Sequence, residues 1–247
     1  DRIGSQILTH YPETIEVAKT ITSQEAALDG RQSSTIFIPE LAKDILEQIV
    51  FEARKSEFVD VKSGVSARLS ITAFENLVST AERRLLHSGD DKTGIRMSDF
   101  IGIIPAITGK IELVYEGEQE GAYSVALTLL GSAIKTLYSK YFPKIEKLEK
   151  QGVETPYDEI VSWFFNTSDD FEILDDVQEK DYKIILGKVK PLSDFIKKFK
   201  EDLQPNEVCF WQEFVLWSLV EYKKLNKYRY AEGIQFKDPY GSFISGL

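Results

Sequence analysis

The stretch 62–84, KSGVSARLSITAFENLVSTAERR, puts an arginine, Arg68, in the first turn of what its spacing predicts to be a long amphipathic helix. Gly64 supplies a bend before it, and Ser66 is the expected N-cap. Helix N-termini carry partial positive charge and unpaired N–H groups, so they favour anions and accept a cation poorly. Arg68 therefore calls for a negative partner. An ion pair with a neighbouring Glu or Asp would serve, and so would a phosphate.

Other residue sets with chemical potential fall short of a pattern. A phosphate-binding P-loop needs GxxxxGK followed by Ser or Thr, because backbone amides cradle the phosphates and the hydroxyl holds magnesium. The Gly-Lys pairs Gly109-Lys110 and Gly187-Lys188 are followed by Ile111 and Val189, and neither has the earlier glycine. Ile173-Leu174-Asp175-Asp176 has the outline of a strand ending in an acidic pair, but it follows an acidic stretch and reads as exposed loop. Asp169 and Asp170 lack the glycine and closing Glu of a calcium loop. His10 and His87 are far apart and have no metal-ligand spacing, and His10 reads as a structural residue at an element junction. Trp211 and Trp217 read as core. No Ser-His-Asp or Cys-His set can be assembled.

Composition narrows the class. The 247 residues are 43% hydrophobic and 28% charged, enough for a real core and unlike a disordered chain. A net charge of -10 argues against nucleic acid or an anionic membrane as the main partner. The lone cysteine, Cys209, excludes an internal disulfide and fits a reducing cytosol. The longest apolar run, around 100–107, is far shorter than the roughly 20 residues a bilayer requires. The chain starts at Asp1 and leads at once into apolar residues, as expected of a piece of a longer protein.

The elements that must position Arg68 follow from hydrophobic period. Alternation over 2–9 predicts a short strand. Pro12 opens a helix to about residue 28, stopped by Asp29-Gly30, and a polar loop follows over 31–35. Pro39 opens a second helix whose stripe is Leu41, Ile45, Leu46, Ile49, Val50 and Ala53. The Arg68 helix carries Ile71, Phe74, Leu77, Val78, Ala81 and Leu85. Ser98 is expected to cap another helix that Pro105 divides, and 107–115 reads as helix. The acidic, glycine-flanked run 116–121 is the expected domain boundary. Beyond it come an apolar helix over 122–142, a charged continuation over 144–150, an aromatic helix over 156–165 and an acidic loop over 168–180. A helix over 193–203, a long aromatic helix over 206–230 and an extended tail over 233–247 complete the chain. Strong β signals are nearly absent. The reading is mainly α, in two helical units.

The order Asp1-Arg2-Ile3, a helix led by Tyr11-Pro12, a second long helix, and Gly64-Val65-Ser66-Ala67-Arg68 opening a third resembles one family. It is similar to the end of the AAA+ ATPase module of the magnesium-chelatase I subunit and MoxR class. There a D-R-F segment closes the large nucleotide-binding subdomain, and a G-x-S-x-R motif opens a helix of the helical lid. The resemblance covers about 1–117, with Ile3 in place of the usual Phe and Ala67 in place of the common proline. It implies that 1–10 end the large subdomain and that 11–117 form the AAA+ lid bundle; 122–247 lie outside the resemblance and are read as a second helical domain, for partner binding. It implies catalytic and ATP-contacting roles for Arg68, as the sensor-2 arginine, and for Arg2, as a finger into a neighbouring subunit's nucleotide. ATP and Mg2+ would be used by the parent protein and not held by this piece alone, since no P-loop is present. Other AAA+ subunits, in a homo-oligomer with a hexamer as the family pattern, and a protein client would be the partners. The work done would be partner remodelling or metal insertion in the cytoplasm. The alternative is a non-enzymatic helical protein-interaction module in which Arg68 makes only an ion pair.

Overall fold

The computed structural model describes residues 4–145, 155–167 and 170–239. Among them the chain is mainly α, with eleven α-helices and short strands. The first stretch departs from expectation. Residues 4–10 form no strand, and Ile7 and Leu8 are 83% and 91% exposed. An alternating pattern makes a strand only where another strand takes up its N–H and C=O groups, and none of the described strands lies alongside.

Helix α1 (Ile15–Glu25) starts three residues later than Pro12 suggests, where the Thr14 hydroxyl accepts from the Val17 N–H at 3.3 Å. The loop expected over 31–35 is instead helix α2 (Gly30–Thr35). Asp29, expected as a stop, is its N-cap. Its carboxylate accepts from the Gln32 N–H at 2.7 Å, and the Gln32 side chain accepts from the Asp29 N–H at 3.2 Å. Strand β1 (Ile36–Phe37) pairs in parallel with β2 (Thr93–Gly94).

Helix α3 (Glu40–Ala53) begins after Pro39 and buries the whole expected stripe. Helix α4 (Arg68–Ser88) buries Leu69, Ala73, Phe74, Leu77, Val78, Ala81 and Leu85 and ends at Gly89, whose φ of 73° is the usual glycine solution at a helix C-terminus. A 3-10 helix (Met97–Ile103) runs into α5 (Ile104–Thr108), the two pieces expected around Pro105. The cap differs: Arg96 holds that position, its N–H donating to Asp99 at 2.8 Å. Residues 109–114 are not helical, and Leu113 bridges to Val59.

The run expected as a boundary is helix α6 (Tyr115–Glu120), followed directly by α7 (Ala122–Tyr141). Helix α7 lies against α3, and one hydrophobic cluster runs from Ile36 through α3, α4 and α7 to Phe236. The apolar faces on the two sides of Gly121 thus complete each other. Each fully buried Leu or Ile in this cluster, Leu46 and Ile134 among them, stabilises by about 1.5–3 kcal/mol.

Helix α8 (Asp158–Asn166) matches the aromatic helix. The acidic segment expected as loop contains β3 (Phe171–Leu174), whose Phe171 and Ile173 point into the core. Helices α9 (Glu179–Gly187) and α10 (Lys190–Phe199) follow, the first unexpected and the second starting three residues earlier than the helix expected over 193–203. Helix α11 (Val208–Glu221) is shorter than the span 206–230. Lys223 takes a left-handed φ of 62°, and the Lys224 and Leu225 N–H groups turn back to the Leu219 carbonyl. The chain then forms β4 (Asn226–Arg229) and β5 (Gly233–Lys237), giving an antiparallel sheet of order β3-β5-β4. The charged continuation beyond residue 145 and the end of the tail lie outside the described residues.

Candidate functional site

Arg68 is the first residue of α4, and its side chain is exposed. Ser66 does not occupy the N-cap position itself. That place belongs to Ala67, which has no side chain to cap with, while the Ser66 hydroxyl accepts from the Arg68 N–H at 3.2 Å. No acidic residue stands in the first turn of this 21-residue helix. Among the described residues the Arg68 guanidinium has no ion-pair or hydrogen-bond partner. The ion pair that would neutralise it locally is therefore not formed within these residues. Arg2 lies outside the described residues.

The segment leading to Arg68 is held closely. Asp60 takes the Lys62 N–H at 2.9 Å, and its carboxylate shares the Ser63 hydroxyl with Glu112. The backbone of 58–60 is tied to 112–114 by Asp60 N–H to Glu112 C=O at 2.8 Å and Val114 N–H to Phe58 C=O at 3.0 Å. Gly64 has a φ of 70°, where a side chain would be strained, and a Cβ there would also collide with the Tyr11 hydroxyl. Val65 is buried. Its N–H donates to the Tyr11 hydroxyl at 3.1 Å, and its carbonyl accepts from Arg54 Nε and Nη2, both at 3.4 Å. The Arg54 guanidinium lies 4.1 Å from the centre of the Tyr11 ring.

One turn into α4, a buried carboxylate fixes the helix from below. Glu47 of α3 accepts from Ser70 at 2.7 Å and from Thr22 of α1 at 2.5 Å. Burial pushes its carboxyl above the ordinary value, against the lowering effect of those two hydroxyls. The start of α4 is thus joined to α1 and α3 at a point two residues from Arg68.

A second polar cluster lies deeper, between α4, the 3-10 helix, α9 and α11. Arg84 pairs with Asp99 at 2.7 Å, and its Nη1 also reaches Thr93. The Thr93 hydroxyl donates to Glu179 at 2.6 Å, and Arg96 Nη2 lies 3.1 Å from the same carboxylate oxygen. Burial raises the Glu179 carboxyl, but the Thr93 hydroxyl and the Arg96 and Arg84 charges outweigh it and hold the group below the usual range. The Arg96 guanidinium stacks on Tyr182, 4.0 Å from its ring centre, while its Nε and Nη1 have no hydrogen-bond partner. Glu213 of α11, 1% exposed, accepts from the Met97 N–H at 2.9 Å and from the Tyr182 hydroxyl at 2.8 Å. Burial pushes its carboxyl up. A cleft of about 450 Å³ opens beside this cluster, lined in part by Lys92, Thr93, Glu179, Lys183 and Cys209. Burial raises the Cys209 thiol to about 11, so it is not a thiolate nucleophile at neutral pH.

The remaining sequence candidates are structural. Asp175 does close a strand, β3, but it grips Arg229 at 2.6 and 2.7 Å, and Asp176 lies 3.4 Å from His87. Asp170 pairs with Lys237 at 3.1 Å, and Asp169 lies outside the described residues. Among the described residues no cluster of His, Cys, Asp or Glu is arranged to hold a metal ion, and no helix is long and apolar enough to cross a membrane. His10 is exposed, its ring nitrogen 2.9 Å from the Tyr11 carbonyl oxygen. Trp211 and Trp217 are buried in the core.

Sequence reasoning found Arg68 but missed Tyr11, Arg54 and Glu47, whose partners are 54, 11 and 23 residues away. Glu213 did carry a signal. A carboxylate inside the run Phe210-Trp211-Gln212-Glu213-Phe214-Val215 must find donors if the helix is buried. Compared with family models, curated proteins and solved structures, the chain finds no match.

Proposed function

We propose that this chain supplies the helical lid of an oligomeric AAA+ ATPase of the magnesium-chelatase and MoxR type, with Arg68 as the sensor-2 arginine. One observation carries the reading: Arg68 stands exposed at the start of a 21-residue helix with no acid in its first turn and no partner for its guanidinium among the described residues. A cation held against the positive end of a helix, on a braced segment, suits a ligand that brings several negative charges. The γ-phosphate of ATP is such a ligand. The ATP and its Mg2+ would be held mainly by a P-loop subdomain, for which this chain has no motif. What Arg68 would add is electrostatic stabilisation of charge on the transferring phosphoryl group.

Arg2 would serve as the finger reaching a neighbouring subunit's nucleotide, and residues 122–247 would face the protein client. The continuous core across Gly121 means that the client-facing half would move with the lid as one body. The non-enzymatic alternative relied on an ion pair for Arg68, and no such pair is present among the described residues.

The test is ATP turnover by the protein expressed from its full reading frame. Arg68→Ala should lower turnover by about 100-fold, the usual loss for one donor to a developing charge, with an unfolding midpoint close to wild type. Unchanged turnover, or a reading frame with no P-loop upstream of Asp1, would refute the assignment.

A further inference from the structure

We infer that Tyr11 and Arg54 form a clamp that positions Arg68, so that the segment before α1 and the start of α4 act as one unit. The inference rests on the sensor-2 reading of Arg68 and adds the residues that aim it. Three interactions converge on two residues of the loop, and a fourth ties the two clamping side chains to each other. The Tyr11 hydroxyl accepts from the Val65 N–H at 3.1 Å, Arg54 donates twice to the Val65 carbonyl at 3.4 Å, and Arg54 lies 4.1 Å from the Tyr11 ring centre. The remaining contact with the loop is steric: Gly64 leaves the space that the Tyr11 hydroxyl occupies. Both polar backbone groups of Val65 are thereby committed, three residues before Arg68.

A purely structural role would not need this arrangement. Val65 is 1% exposed and is anchored by its own side chain. Tyr11 is 46% exposed, so its ring contributes little burial. What the clamp adds is direction. Gly64 takes a left-handed turn just ahead of Val65. The Val65 N–H lies in the peptide plane shared with Gly64 and its C=O in the plane shared with Ser66, so the two contacts hold both planes flanking Val65. The residues that follow, 66 and 67, have little freedom before the helix begins at Arg68. An arginine acting on a phosphate must be held within a fraction of an ångström to act fully, and its supporting groups carry that precision.

The experiment is a double-mutant cycle on ATP turnover in the full-length protein. Tyr11→Phe keeps the ring under Arg54 and removes only the acceptor for Val65. Arg54→Lys keeps the charge and removes the planar fork. Each should lower turnover about fivefold, the kinetic equivalent of about 1 kcal/mol; because Tyr11→Phe also leaves the Val65 N–H without its acceptor, turnover is compared well below each variant's unfolding midpoint. In an Arg68→Ala background neither should have any further effect, because nothing is left to aim. If both variants are as active as wild type while Arg68→Ala is impaired, the clamp inference fails and the sensor reading stands. If the variants lose as much in the Arg68→Ala background as in wild type, they act elsewhere and the inference fails in the same way. If Arg68→Ala itself is fully active, both readings fall.

Discussion

Glu213 offers a quantitative test of how the two halves are joined. Its carboxylate is the common acceptor for the Met97 N–H and the Tyr182 hydroxyl, and both donors are buried. Alanine at 213 would strand both. At roughly 1–3 kcal/mol for each buried donor left unpaired, the loss is about 2–6 kcal/mol, and the vacated volume adds a cavity cost. In a chain of this size a kcal/mol moves Tm by about 2–4 °C, so Glu213→Ala should lower Tm by on the order of 10 °C. Glutamine keeps an acceptor oxygen for both donors, and at pH 7 it should lie within about 1 kcal/mol of wild type.

The pH dependence separates acceptor from charge. Burial raises the Glu213 carboxyl, so the folded protein keeps a proton that the unfolded chain has already released. Its contribution is complete below the unfolded value, about 4.3, and declines as pH rises through the folded value. Glu213→Gln has no such proton. Its stability relative to wild type should therefore improve as pH is raised from 4 toward 8, read from urea unfolding at several pH values. If glutamine and alanine are equally destabilising at pH 7, or if the glutamine deficit grows with pH, the ionised carboxylate is what holds the cluster and the reasoning is wrong.

Three further outcomes follow from the same contacts. Glu47→Ala should destabilise more than Glu47→Gln, by about 1–3 kcal/mol, because alanine strands the Thr22 and Ser70 hydroxyls together; equal unfolding midpoints would refute that division. Gly64→Ala meets both a left-handed φ and the Tyr11 hydroxyl, so it should cost at least 1 kcal/mol, and hydrogen exchange at the Val65 amide should speed up; unchanged exchange would show that the loop is not held there. Burial lowers the Lys227 amine, stacked 3.3 Å from the centre of the Trp217 ring, to about 8. Between pH 8 and the unfolded value of about 10.4 the folded state binds fewer protons than the unfolded one, so stability from this group rises with pH. Wild type should gain on Lys227→Met across that window, and a flat difference in unfolding free energy would refute it.

What could be read from the sequence depended on whether a signal was local. Helices α3, α4 and α7 show as apolar stripes because one face of each meets the core, and Leu41, Ile45 and Ile49 or Leu77, Val78 and Ala81 repeat at helical spacing. Arg68 was visible for the same reason, as a charge of the wrong sign at a helix start. The sheet was not visible. Strand β3 alternates but is only four residues long and sits in an acidic stretch, and β4 carries Asn226, Lys227 and Arg229, is only partly buried and has no clear alternation. The end of α11 was hidden because Lys223 takes a left-handed φ without the glycine that usually announces it. Asp29 was read with the wrong sign, as a stop, since Asp-Gly suits both a turn and a helix start. The Arg84, Asp99, Glu179 and Arg96 cluster has members up to 95 residues apart, and pairing at that distance leaves no mark in a single sequence.

The packing of α7 on α3 also sets the order in which the protein can be made. During synthesis α3 emerges well before α7, the helix it packs against most extensively, although α1 and α4, its other neighbours, are made earlier. At about 5–20 residues per second, the roughly 90 residues to the end of α7 take about 4–18 s. For that interval the part of α3 destined to meet α7 is open to water, and α11, which packs on α7, arrives later still. The nascent chain is most exposed to aggregation when it ends near Gly121, the point at which its composition looks most like a natural stopping place. Ribosomes stalled there should bind a hydrophobic dye more strongly than ribosomes stalled after α7, and a chaperone that shields apolar helices would be needed most in that window.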